Sequence, residues 1–165
     1  MTKKPNEMRV KVADYAVGRS EHTLVTIGLG SCVAITLYDR QAKIGGLAHI
    51  LLPSPSMSRE TSNPAKFPET IVPIMIAEMQ KLGSSPRALI VGKIVGGASM
   101  FGQLTGGGGV NIGDRNIAST RLTLAALEIP IVADDTGQDY GRSVYFHLDD
   151  GRVEVRSLKK GDRVI

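Results

Sequence analysis

Two β-type apolar runs separated by a short polar stretch constrain this chain more than any other feature. VAITLYD opens at Val33, DRQA follows, and KIGGLAHILLP resumes the apolar pattern. That order is the signature of an antiparallel hairpin, with strands over 33–38 and 43–51 joined by a polar loop. If Tyr38 faces Lys43 across a DRQA loop, the register sets Cys32 directly opposite His49. Directly opposed residues hold their Cβ atoms roughly 4.5–5.5 Å apart. A thiol and an imidazole so placed form a nucleophile–base pair. A loop one residue shorter or longer breaks the pairing, and a single cysteine also reads as a small buried hydrophobe.

Two neighbouring features favour the chemical reading. Cys32 follows Gly28-Leu29-Gly30-Ser31, a turn able to present backbone N–H groups around Gly30 and Ser31 to a developing oxyanion. Thr26 lies six residues before Cys32 on the preceding run, TLVTIG. Its hydroxyl or carbonyl is placed to orient an imidazole, as a third triad member does. His22, in a polar turn, and His147, alternating in a strand, read as structural.

The rest of the chain supplies the frame. MRVKVADYAV (8–17) reads as a first strand, and 53–66, with three of the eight prolines, as a loop. Ile71, Ile74, Met75, Met79 and Leu82 fall on one helical face that stops at Gly83, with Pro73 set to kink the first turns. ALIVGKIV (88–95) is a buried-type strand, and a second helix begins near Asp114, a candidate N-cap. Strands at 129–135, 142–148 and 152–158 close the order, the last two joined by Asp149-Asp150-Gly151. This succession predicts one α/β domain of the α+β type over 1–165, mixed and antiparallel sheets with flanking helices, and flexible tails at 1–7 and 159–165.

Several function classes are excluded or demoted. Of the net charge of +4, residues 1–11 carry +3 and residues 152–165 another +3, so the 140 residues between them sum to −2. The basicity belongs to the ends, with no aromatic-interleaved stripe for nucleic acid. Nine glycines fall between Gly92 and Gly113, yet neither a P-loop nor a dinucleotide fingerprint is present. One cysteine and three scattered histidines argue against a metal site or a disulfide. No secretory signal or membrane-spanning run is evident, so a cytoplasmic protein without membrane insertion is expected.

TIGLGSCVAITLYD, IGGLAHILLP, GGASMF, NIGDRN and DDTGQDYGRSVYFHLDDGRVEV together resemble the chemoreceptor glutamine deamidase family of bacterial and archaeal chemotaxis, CheD. The resemblance runs from about residue 8 to 158 and implies a triad at Cys32, His49 and Thr26. It further implies packed β-sheets flanked by helices, similar to the catalytic domain of the cytotoxic necrotizing factors. Implied too are a cofactor-free hydrolysis of receptor glutamine amides and a partnership with the phosphatase CheC. The expected chemistry has His49 deprotonate a Cys32 thiol of lowered pKa, with a thioester intermediate. Gly96, Gly97 and Phe101, in GGASMF, are expected at a substrate- or partner-binding loop. Phe67 stands where the family pattern has a tyrosine, and the Gly106–Gly109 run is longer than that pattern. A non-catalytic CheC-binding module is the competing reading, and a cysteine protease or transamidase would use the same nucleophile.

Overall fold

A computed structural model describes residues 6–99 and 111–165. The expected α+β architecture is present: two mixed five-stranded sheets and two long helices. In chain order the strands are β1 (Glu7–Arg9), β2 (Asp14–Gly18), β3 (Thr23–Leu29), β4 (Val33–Asp39), β5 (Ile44–Ile50), β6 (Ile90–Gly96), β7 (Ile131–Thr136), β8 (Arg142–His147), β9 (Val153–Arg156) and β10 (Arg163–Val164). Helix α1 spans Pro68–Leu82 and α2 spans Ile112–Ala126.

One sheet has the order β1-β3-β8-β9-β10 and the other β2-β5-β4-β6-β7. Burial explains which sheet is inner. Every residue of β4 and β5 is buried, as a layer covered on both faces requires. In β8 and β9 buried and half-buried residues alternate, so that sheet has one face inward and one outward. The inner sheet therefore lies between the outer sheet and the helices. Leu24, Val144, Phe146 and Val153 of the outer sheet meet Ala34, Tyr38, Leu47 and Val95 of the inner one in one core. Ile35, Leu37, Ala48 and Ile50 point the other way, against Ile71, Val72, Met75 and Met79 of α1 and Leu124 of α2.

The α1 stripe and its stop were both expected. The helix is continuous through Pro73, and Gly83, at φ +126°, returns its N–H to Gln80 and Met79 carbonyls. For α2 the N-cap is Asn111, not Asp114. The Asn111 side chain accepts from the Asp114 N–H at 3.1 Å, leaving Asp114 in the first turn, where its charge suits the helix dipole. The α2 segment also carries the parallel crossover from β6 to β7.

The stretch 8–17 is not one strand. Its first part pairs parallel with β3 in the outer sheet and its second pairs antiparallel with β5 in the inner one. Between them Ala13 takes φ 58°, a left-handed turn that the apolar alternation does not announce. Neither expected tail is wholly free: Thr23 donates to the Asn6 carbonyl, β1 begins at Glu7, and β10 pairs with β9 while Ile165 exchanges hydrogen bonds with Val153.

Candidate active site

Thr26 of β3 meets His49 of β5, and Cys32 lies just ahead of β4 on the same side of the inner sheet. Regular pairing of β3 with β8 holds through Thr26↔Val144 and then shifts before Leu29↔Arg142. Within that bulge Gly28 adopts φ +76° and its N–H reaches Ser143 Oγ at 3.3 Å. The chain then turns through Gly30 and Ser31 to Cys32, just ahead of β4.

The hairpin register differs from expectation by two residues. Ile44 faces Asp39, Ala34 faces His49, and the loop is Arg40 to Lys43. The cause is Asp39, read from sequence as a loop residue. Its Oδ1 accepts the N–H groups of Gln41 and Ala42 at 3.0 and 3.1 Å, and its Oδ2 accepts the buried Ser84 hydroxyl at 2.7 Å. With those bonds made, Asp39 is the last rung of the strand and the turn starts after it. A two-residue shift preserves side-chain parity. Cys32 and His49 therefore remain on one face of the inner sheet, facing the outer sheet, as diagonal rather than direct neighbours.

The imidazole is fully buried and its tautomer follows from its partners. Thr26 Oγ1 lies 2.7 Å from the Val10 carbonyl and 2.7 Å from His49 Nδ1. A hydroxyl has one proton, and the carbonyl can only accept it. Thr26 thus donates to Val10 and accepts from Nδ1–H, which leaves the Nε2 lone pair as the basic atom. Among the described residues Nε2 has no hydrogen-bond partner. Of the two groups on Thr26 expected to orient an imidazole, the hydroxyl is the one in hydrogen-bond contact with His49.

Electrostatics alter one expectation. Burial pushes the His49 pKa down to about 4. Burial also pushes the Cys32 thiol up, opposed only by its own backbone N–H. The lowered thiol pKa expected from the chemistry is absent: near neutral pH both partners rest uncharged. The arrangement suits transfer of the proton as the nucleophile attacks, rather than a standing thiolate–imidazolium pair.

The turn before Cys32 is held by its carbonyls. Gly30 O accepts from Ala98 N at 2.9 Å, Cys32 O from Gly97 N at 2.8 Å, and Ser31 O from Asn116 Nδ2 at 2.9 Å. With three successive oxygens turned away, the Ser31 N–H has no acceptor among the described residues, and the Cys32 N–H faces its own thiol. Gly96 and Gly97 thus lie against the Cys32 backbone. At Gly96, φ +110°, a Cβ would collide with the Cys32 carbonyl, so only glycine permits this approach. Phe101, like the Gly106–Gly109 run, lies outside the described residues. Beyond the turn, Arg142 is buried against Asp135 (3.0 Å) and stacks its guanidinium 4.1 Å from the centre of the Tyr140 ring. These contacts brace β8 opposite Leu29.

Sequence reasoning missed the Val10 carbonyl, Asn116 and the buried Arg142. A backbone acceptor leaves no trace in side-chain identity. A polar residue inside an apolar helical pattern, as at Asn116 within NIGDRN, is the one signal that was available. Among the described residues no group of three or more His, Cys, Asp or Glu is placed to hold a metal ion, and no helix is long and apolar enough to cross a membrane.

A buried thiol and a buried imidazole on one face, beside a turn whose carbonyls are held from behind, are groups that a thiol-dependent acyl-transfer site uses. Comparison with known proteins narrows that class. Residues 51–157 match the family model described as CheD chemotactic sensory transduction. The chain is 46% identical over 158 residues to a Caldanaerobacter subterraneus protein named "Probable chemoreceptor glutamine deamidase CheD", covering 96% of this chain and 97% of that one. A Pyrococcus abyssi protein of the same name is 42% identical, covering 94% of each chain. A Methanosarcina acetivorans protein named "Probable chemoreceptor glutamine deamidase CheD 1" is 40% identical, covering 98% of each. The chain belongs to the CheD family.

Proposed function

We propose that the chain is a protein-glutamine glutaminase, hydrolysing side-chain amides of chemoreceptor glutamines to glutamate in the cytoplasm. The names of full-length relatives support the reaction class. The observation that carries the residue roles is the Thr26–His49 contact at 2.7 Å, which leaves Nε2 free on the face that Cys32 shares.

In this reading Cys32 Sγ attacks the carboxamide carbon while its proton passes to His49 Nε2. The forming oxyanion accepts N–H bonds from Ser31 and Cys32. Collapse of the tetrahedral species breaks the C–N bond, and the proton on His49 leaves with ammonia. Water then attacks the thioester, its proton again taken by Nε2, and the thiol is restored as glutamate is released. Thr26 holds the imidazolium through Nδ1–H throughout. The sum is amide plus water to carboxylic acid plus ammonia, with no cofactor in any step. CheC is proposed as a protein partner on the strength of the family resemblance.

The test is mass spectrometry of a receptor cytoplasmic fragment after incubation with wild type, Cys32→Ala and His49→Ala. A Gln-to-Glu mass gain at defined sites with wild type alone is expected. Gains with Cys32→Ala as well would remove Cys32 from the chemistry. No gain with any protein would favour the non-catalytic CheC-binding module.

A further inference from the structure

Asn116 is fully buried in α2, and its side chain does something no catalytic role accounts for. Its Nδ2 donates to Ser31 O at 2.9 Å and to Leu51 O at 3.1 Å. Ser31 immediately precedes Cys32, and Leu51 follows His49 by two residues. The ladder between β4 and β5 ends at Val33↔Ile50. Past that pair the two chains present carbonyl oxygens, which cannot bond each other and need a donor between them.

We propose that Asn116 is the positioning residue of this site: its amide bridges the segments that bear Cys32 and His49 and fixes their spacing. Its part in glutamine hydrolysis rests on the glutaminase reading above; the bridge itself does not.

The chemistry at this point selects an NH2 group. Both Nδ2 protons are used, one on each oxygen. Turning the amide over would set a third oxygen against two carbonyls. Aspartate would bring a charge and no donors, and leucine would fill the space with neither. The Oδ1 atom lacks a partner among the described residues, so the site keeps a buried amide despite the cost of an unsatisfied acceptor. The same helix also holds the turn indirectly. Gly113 packs directly on Gly97 and Ala98, whose N–H groups grip Cys32 O and Gly30 O. Ser119, one turn further on, binds the Pro53 carbonyl at 2.6 Å. Ser119 hydrogen-bonds neither Ser31 nor Leu51, so it reports what losing an ordinary helix-to-loop bond does.

The experiment compares wild type, Asn116→Leu, Asn116→Gln and Ser119→Ala in the full chain, each checked for folding by circular dichroism. Two quantities are read: kcat and KM for deamidation of a receptor cytoplasmic fragment, and the pH profile of Cys32 alkylation by iodoacetamide. Asn116→Leu is expected to lower kcat about a hundredfold, the size of a misplacement near 1 Å, with KM little changed. Its alkylation slows and the inflection of its pH profile moves, while Asn116→Gln recovers part of both. Ser119→Ala is expected to lower the melting temperature and leave both rates at wild-type values. Wild-type kcat and alkylation in folded Asn116→Leu would overturn the proposal, as would an equal loss of both in Ser119→Ala. If Asn116→Leu does not fold, Asn116→Ser, retaining one donor, replaces it: an intermediate loss supports the bridge and wild-type rates overturn it. If wild type deamidates no receptor glutamine, the glutaminase reading fails and the alkylation profiles alone decide for or against the bridge.

Discussion

His49 and Cys32 are held in opposite ways. His49 sits within β5, one residue before its end, paired on one side with Asp14 of β2 and on the other with Ala34 of β4, and is further tied through Thr26. Cys32 sits in an irregular turn whose carbonyls are gripped by groups 65 to 85 residues later in the chain: Gly97, Ala98 and Asn116. His49 is placed by sheet register, which resists local change because every neighbouring rung must shift with it. Cys32 is placed by a few single bonds from elsewhere. Substitutions near the base should therefore impair the chemistry through one proton, and substitutions behind the turn through geometry.

The sharpest way to break the base side is Thr26→Val. It removes the acceptor of Nδ1–H and strands the Val10 carbonyl, each a buried polar group worth about 1–3 kcal/mol when unsatisfied. Under the triad reading kcat should fall by roughly 10²–10⁴, the usual span of general-base help. Steady-state kinetics and urea melts check both effects, and Thr26→Ser, which keeps the hydroxyl, should restore most of each.

Next in size is a pH effect that belongs to the base alone. His49 is held neutral in the fold at about pKa 4 against an ordinary 6.5. The unfolded chain then binds the proton more readily, so stability is full above about pH 6.5 and is lost as pH falls toward 4. The loss should approach about 3 kcal/mol, and His49→Gln should lack that component in melts across the same range. The acid limb of kcat/KM should likewise lie near pH 4 rather than 6.5.

On the nucleophile side Gly96→Ala should cost about 2 kcal/mol, from a strained left-handed φ and a clash with the Cys32 carbonyl. Activity should fall while the acid limb stays in place, because the His49 environment is untouched. Smallest of all, Arg121→Gln removes an exposed pair with Asp134 (3.1 Å) that bonds neither Cys32 nor His49. It should shift stability by less than about 1 kcal/mol and leave kinetics unchanged.

What the sequence revealed follows the same divide. Elements with strong patterning read correctly: the α1 stripe to Gly83, the apolar run that forms β6, and the closing strands. Cys32 and His49 were brought together by a register two residues off, because parity survives an even shift although the rungs do not. Asp39 decided that register through side-chain bonds to Gln41, Ala42 and Ser84, and the last of these lies 45 residues away. The break at Ala13 was hidden because alternation continues across it while the chain changes sheets. The direction of the thiol's pKa was equally illegible, since it depends on burial between layers rather than on its neighbours in the chain.

The distant origin of the turn's clamps also has a consequence in time. A ribosome delivers Thr26, Cys32 and His49 well before it delivers Gly97, Ala98 and Asn116. At about 5–20 residues per second, the interval from His49 to Asn116 is on the order of several seconds. Throughout that interval the nascent chain carries Cys32 and His49 without the groups that hold the Gly30, Ser31 and Cys32 carbonyls. The last of the turn's clamps arrives with α2, late in synthesis.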